Sequence, residues 1–195
     1  FFLSIKYTQI VQTLPSSVPF VGPEAQERRL GKNFEARIGA NESVFGPSPK
    51  AVLAMTDEIG QAWKYGDPES FDLKHALAKK HNVAFENIIV GEGIDGLLGY
   101  LVRLFVEQGD NVVTTDGAYP TFNYHVEGFG GQLHKVPFKD DTEDLDNLLN
   151  KVIETKAKML YISNPNNPMG TLNSANDINK LIEYLPTETL LCLDE

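Results

Sequence analysis

From about residue 48 onward, the sequence alternates between segments with helical periodicity and short apolar segments typical of buried strands. Helices are predicted over 49–61, 70–82, 94–108, 120–129, 144–154 and 176–184, and strands over 88–90, 111–115, 132–136, 158–163 and 190–193. Short strands that alternate with helices are typical of a layered α/β domain with a largely parallel sheet. We therefore expect an α/β fold over this part of the chain.

Both ends of the sequence depart from this alternation. Residues 15–33, PSSVPFVGPEAQERRLGKN, are rich in proline and charge, which predicts an arm that lies on another surface. At the other end, the predicted strand 190–193 is followed at once by Asp194 and Glu195, with no helix to cover it. We expect the natural chain to continue beyond this point.

Composition narrows the possible partners. The 195 residues are 42% hydrophobic and 23% charged, an ordinary balance for a folded protein, and the formal net charge of −10 disfavours a nucleic-acid partner. No secretory signal and no apolar run of membrane-spanning length are recognisable, and a single cysteine, Cys192, cannot form an internal disulfide. The four histidines show no metal-ligand spacing, so no metal is predicted. A cytoplasmic protein without a membrane partner is the expectation.

Polar residues follow three of the predicted strands at the carboxyl ends, where open α/β sheets bind ligands. The glycine turn 91–96 leads into a helix, whose unpaired amides and dipole suit a phosphate. The segment 164–170, NPNNPMG, fixes its backbone and projects side-chain amides, and Asp194 ends an apolar strand. Each feature has an ordinary alternative: a tight turn, an asparagine-proline turn or a solvated carboxylate. Together they predict a ligand site.

Six segments carry a resemblance to a known family: ANESVFGPSP, YGDPES, GEGIDGLL, YPTFNYHVEGFGG, NPNNPMG and LCLDE. They resemble fold-type-I enzymes that depend on pyridoxal 5′-phosphate (PLP), most closely the histidinol-phosphate aminotransferase group of the class I/II aminotransferases. The resemblance runs from about Asn41 to the end. It implies a three-layer large domain of the aspartate-aminotransferase fold, truncated here, with residues 1–45 as an arm and the start of the small domain. Residues 46–195 would be the first part of the PLP-binding domain.

The resemblance also implies roles for residues around the cofactor. Backbone amides of Gly93, Ile94 and Asp95 would bind the phosphate, although relatives usually carry a small residue at Ile94 and often an acid at Gly96. Phe122 would stack on the pyridine ring, with Tyr119 as the alternate candidate, and core packing is the other interpretation of both aromatics.

The other implied roles concern the ring's polar atoms, the partner subunit and the substrate. Asn167 would bond the phenolic oxygen, with a cis bond to Pro168, and Asp194 would face the pyridine nitrogen. Tyr65 would reach the phosphate of the neighbouring subunit in a homodimer, and Asn41 and Glu42 would contact substrate. The lysine that binds the cofactor lies beyond Asp194 in this family, and the arginine that grips the substrate carboxylate lies further on.

The predicted function is transfer of an amino group between an L-amino acid, such as histidinol phosphate or an aromatic amino acid, and a 2-oxo acid. A PLP-dependent decarboxylase or lyase acting on a phosphorylated amino acid is the first alternative, since the same cofactor-binding residues serve those reactions. A PLP-binding sensor module is the second, but the N-terminal region is too short and insufficiently basic for a DNA-binding domain. A nucleotide-binding domain is disfavoured because GEGIDG lacks the GxGxxG spacing.

Overall fold

The computed structural model describes residues 5–14, 20–37, 39 and 41–195, and it divides into two compact units. The first unit combines Phe1–Phe20 with Gly91–Glu195, and the second is Val21–Val90. The first unit contains a four-stranded sheet and the second is helical. The predicted boundary at residue 45 refers to the domains of the whole family fold and stays a prediction.

The sheet of the first unit is wholly parallel. Its strands are β1 (Asn111–Thr115), β2 (Gln132–Val136), β3 (Met159–Ser163) and β4 (Leu190–Asp194), in the spatial order β2-β1-β3-β4. The central strand β3 is buried along its whole length, as expected for a parallel strand covered on both faces. Parallel pairing brings the carboxyl ends of all four strands to one edge of the sheet.

Helices cover both faces of this sheet. They are α5 (Gly93–Phe105), α6 (Pro120–Gly128), α7 (Leu145–Thr155) and α8 (Ala175–Tyr184). Alternate residues of a strand point to opposite faces, so Leu160 and Ile162 of β3 pack with α7 and α8, whereas Met159 and Tyr161 pack with α5 and α6. The result is the predicted three-layer α/β arrangement.

Local sequence signals explain where these helices begin. The Asp144 carboxylate caps α7 by accepting from the amide of Asn147 at 3.1 Å, and the Ser174 hydroxyl caps α8 by accepting from the amide of Asp177 at 3.3 Å. Pro120 occupies the first position of α6, where its missing amide hydrogen costs nothing. A short helix, α1 (Gln9–Thr13), also belongs to this unit.

The second unit contains three α-helices among its described residues: α2 (Pro23–Leu30), α3 (Pro49–Glu58) and α4 (Phe71–His81). Single 3₁₀ turns follow at Ile59–Gln61 and Phe85–Asn87. Here α4 packs through aromatic contacts, with the ring centroids of His75 and Phe85 4.5 Å apart.

Most predicted elements agree with the structure to within a few residues at each end. The strand predicted at 88–90 is wrong, because Ile88 has extended backbone but no ladder forms there. An extended segment becomes a strand only when a neighbour accepts and donates its hydrogen bonds, which a local pattern cannot specify. In the ranges described above, no helix is both long enough and apolar enough to cross a bilayer.

Candidate functional site

Three of the segments singled out in the sequence meet at the carboxyl edge of the sheet. Ser163 and Asp194 are register partners at the ends of β3 and β4, and the amide of Asn164 donates to the carbonyl oxygen of Asp194 at 2.8 Å. The NPNNPMG loop therefore begins directly beside Asp194. The edge is where parallel α/β sheets bind ligands.

Asp194 is half-buried, and one of its two carboxylate oxygens is already engaged. The hydroxyl of Tyr161 donates to its Oδ2 at 2.7 Å. No described residue donates a hydrogen bond to its Oδ1, so this oxygen can accept from a ligand. Two residues earlier on β4, burial raises the pKa of the half-buried Cys192 thiol to about 11, and the charge of Asp194 adds to the effect.

Tyr119 connects the start of α5 with the end of β4. Its hydroxyl donates to Asp95 Oδ1 at 2.7 Å. Burial raises the pKa of this phenol, and the negative charges of Asp95 and Asp194 raise it further. Tyr119 also packs against the hydrophobic cluster that contains Tyr161, the residue whose hydroxyl donates to Asp194.

The beginning of α5 is the segment predicted to bind a phosphate, and this role stays a prediction. Gly93 has a left-handed φ of 77°, and its amide donates to the carbonyl oxygen of Gly91 at 2.8 Å. The amides of Ile94 and Asp95, in the first turn of the helix, have no partner within the helix. Ile94 is exposed here. At Gly96 an added Cβ would lie 3.2 Å from Oε2 of Glu92, so the Glu92 carboxylate occupies the space beside that position.

The NPNNPMG loop holds its two central asparagines differently. Asn166 is buried, and its side-chain amide donates to Glu143 Oε1 at 2.7 Å. Asn167 is half-buried, and its backbone amide donates to Ser163 Oγ at 3.2 Å. Its side chain makes no hydrogen bond to the described part of the chain. The bond from Asn167 to Pro168 is cis, as the resemblance implied.

Glu143 is a site residue that the sequence analysis missed. It is almost fully buried, and its Oε1 accepts from the amides of Ser163 at 3.2 Å and Asn166 at 2.7 Å. Burial raises its pKa to about 7, although these hydrogen bonds oppose the shift. In the sequence it is one acid among several in TEDLD, a run that predicts only a helix start.

Phe122 is enclosed in the core, and the stacking role predicted for it stays a prediction. Its side chain has no exposed surface, and its ring stacks on Tyr161 with centroids 4.3 Å apart and planes inclined by 13°. The alternate candidate, Tyr119, is half-buried at the edge itself, and its stacking role stays a prediction.

The remaining predicted residues belong to the second unit. The side chain of Tyr65 is fully exposed there. Asn41 has a left-handed φ of 54°, and the carboxylate of Glu42 forms a two-point contact with Arg37 at 2.7 and 2.8 Å. Glu42 is therefore engaged in an ion pair within its own unit, and its predicted contact with substrate stays a prediction.

Comparison with known proteins places the chain in a family. The model of the family described as "Aminotransferase class I and II" matches residues 36–195. The chain belongs to this family. Among curated aminotransferases, the histidinol-phosphate aminotransferase of Moorella thermoacetica is 30% identical over 97% of this chain and 49% of its own length. A histidinol-phosphate aminotransferase of Carboxydothermus hydrogenoformans is 31% identical, covering 95% and 51%. The chain thus spans about half the length of these relatives.

Solved aminotransferase structures agree with this assignment. Histidinol-phosphate aminotransferase from Sinorhizobium meliloti, in complex with pyridoxal 5′-phosphate, matches with a TM-score of 0.92 and 53% identity over 97% of this chain and 50% of that one. Aspartate aminotransferase from Rhizobium meliloti matches with a TM-score of 0.77 and 20% identity over 97% and 51%. The predicted membership of the class I/II aminotransferases and the predicted α/β fold of the aspartate-aminotransferase type are confirmed.

Proposed function

We propose that the complete protein is a PLP-dependent aminotransferase that moves an amino group from a donor to a 2-oxo acid, the donor being an aromatic L-amino acid or histidinol phosphate, which is a phosphorylated amino alcohol. Family membership supports this proposal, as do the aminotransferase names of the curated relatives and the PLP bound by the similar Sinorhizobium meliloti enzyme. The decarboxylase, lyase and sensor alternatives gain no support from these curated relatives.

The observation that carries the proposal is that Tyr119 bonds Asp95 and packs against the cluster of Tyr161, while Tyr161 bonds Asp194 at the carboxyl edge of the sheet. A helix N-terminus, an aromatic ring and a carboxylate are the groups that a phosphate, a flat ring and a protonated ring nitrogen require. Oδ1 of Asp194 and the side-chain amide of Asn167, neither of which bonds to a residue that the structure describes, would supply the polar contacts. The residues present therefore fit PLP.

Each residue has a distinct task in this proposal. Amides of Gly93, Ile94 and Asp95 would bind the phosphate, and Tyr119 would support one face of the ring. Asn167 would donate to the phenolic oxygen, while Asp194 would hold a proton on the pyridine nitrogen. When bound, PLP supplies an electron sink for the pair released as the substrate loses its α-proton.

The proposal extends to the whole protein. It is a cytoplasmic homodimer in which Tyr65 reaches the neighbouring subunit's phosphate, and Asn41 and Glu42 contact substrate. Residues 1–45 form the arm and start of the small domain, and residues 46–195 form the first part of the large domain. The covalent lysine and the carboxylate-binding arginine come from the part of the family fold that follows Asp194.

The test begins with the complete protein and PLP. An absorbance band of lysine-bound PLP and its permanent attachment by borohydride are expected, followed by 2-oxoglutarate-dependent consumption of histidinol phosphate or an aromatic amino acid. Asp194→Asn, which keeps the shape but not the charge, should retain the fold and lose most transfer activity. Absence of both the band and borohydride attachment would refute the proposal, and release of carbon dioxide without amino transfer would replace it with decarboxylation.

A further inference from the structure

A fully buried tyrosine lies behind Asp194. Tyr161 is in the middle of β3, opposite Cys192 in the parallel register, so its side chain is on the same face of the sheet as Asp194 two residues further along β4. The hydroxyl of Tyr161 reaches Asp194 Oδ2 at 2.7 Å. A donor bonded to a carboxylate at this distance makes a strong, charge-assisted hydrogen bond.

The ring of Tyr161 is itself held from behind. Phe122 of α6 stacks on it with centroids 4.3 Å apart, and neither side chain has exposed surface. Burial raises the pKa of the Tyr161 phenol far above its usual range, and the hydrogen bond to Asp194 raises it further. The hydroxyl therefore stays protonated across the physiological pH range and acts only as a donor to Asp194.

This arrangement leaves Asp194 in one orientation. Tyr161 engages Oδ2, and Oδ1 is left for another donor. A carboxylate that is fixed before its ligand arrives loses little rotational freedom on binding, which increases affinity. The stacked pair of Phe122 and Tyr161 thus extends from α6 through the core to the acid at the edge.

We propose that Tyr161 is a positioning residue, held in place by Phe122, that orients the Asp194 carboxylate toward the pyridine nitrogen of the cofactor. This inference rests on the function proposed above. It also gives the fully buried Phe122 a role behind the site, in place of direct stacking on the cofactor. The competing explanation is that Asp194 merely satisfies the hydrogen-bonding capacity of a core tyrosine.

The test compares two cofactors in the complete protein: PLP and an analogue in which carbon replaces the ring nitrogen. The analogue offers Asp194 no N–H donor, so its binding does not depend on how Asp194 is oriented. Tyr161→Phe should weaken PLP binding by about threefold to tenfold, the cost of ordering the Asp194 side chain on binding, and change binding of the analogue by less than about twofold. Tyr184→Phe, at an exposed position of α8, is the matched control and should change neither dissociation constant.

A second variant, Phe122→Leu, keeps the Tyr161 hydroxyl but removes the flat support behind its ring. It should weaken PLP binding by a smaller factor than Tyr161→Phe, again with selectivity for PLP over the analogue. Equal losses for both cofactors, or no loss for PLP, would show that Tyr161 is only a packing residue. A wild-type protein that binds neither cofactor would instead overturn the proposed function and this inference with it.

Discussion

Replacing Glu143 by glutamine should change how the stability of the protein depends on pH. Glu143 is buried beneath the NPNNPMG loop, and burial raises its pKa from 4.5 to about 7. Glutamine keeps an oxygen that can accept from the amides of Ser163 and Asn166, but it carries no charge at any pH. The substitution therefore removes the titration with little change in shape.

The direction in which stability changes with pH follows from the protons that Glu143 binds in the folded and unfolded states. Between about pH 4.5 and 7, Glu143 keeps its proton in the folded state and loses it in the unfolded state, so the free energy of unfolding falls as pH rises. Each unit of pKa shift corresponds to roughly 1.4 kcal/mol, which gives a total loss of about 3 kcal/mol, complete just above pH 7. Below pH 4.5 the contribution is fully retained. Glu143→Gln should therefore gain about 3 kcal/mol relative to wild type as pH rises from 4 to 8.

Urea unfolding of the complete protein without cofactor, at four pH values from 4 to 8, measures this difference directly. Glu183→Gln is the control, since this glutamate is exposed on α8 and its carboxylate contacts water in both states. The difference between Glu143→Gln and wild type should grow with pH, and the control should run parallel to wild type. A constant difference across the range would refute the assignment of a raised pKa to Glu143.

Three further predictions concern single side chains. Tyr65→Phe should weaken PLP retention in equilibrium dialysis by about 1–3 kcal/mol if its hydroxyl bonds a phosphate, and an unchanged dissociation constant would make it a packing residue. Tyr119→Ala should lower PLP affinity more than it lowers the stability of the protein. Phe122→Ala should instead lower the free energy of unfolding by about 3–5 kcal/mol. A larger loss of PLP affinity for Phe122→Ala than for Tyr119→Ala would restore the direct stacking role of Phe122. Gly131→Ala should destabilise the protein by about 1–3 kcal/mol in urea unfolding, because the new Cβ would lie 2.8 Å from two valine methyl carbons. Gly128→Ala is the control, since its new Cβ would have nothing within 4 Å. Equal stabilities of the two variants would contradict the close contact at Gly131.

The sequence by itself determined the layered architecture. Strands β1 and β2 occur at the predicted residues because their apolar and β-branched content is local information, and α7 and α8 begin at capping residues that are readable in the chain. The ligand edge was also predictable, since polar residues at the carboxyl ends of parallel strands converge in any such sheet.

Only the tertiary structure decided which side chains lie at the carboxyl edge of the sheet and which lie behind it. Phe122 and Tyr119 are equivalent aromatics in the sequence, but α6 turns the first into the core, against Tyr161, and leaves the second beside Asp95. Likewise, nothing local separates Glu143 from the acids around it, whereas its burial beneath Asn166 raises its pKa. Burial, and contacts between segments distant along the chain, depend on tertiary packing, which the local sequence pattern does not predict.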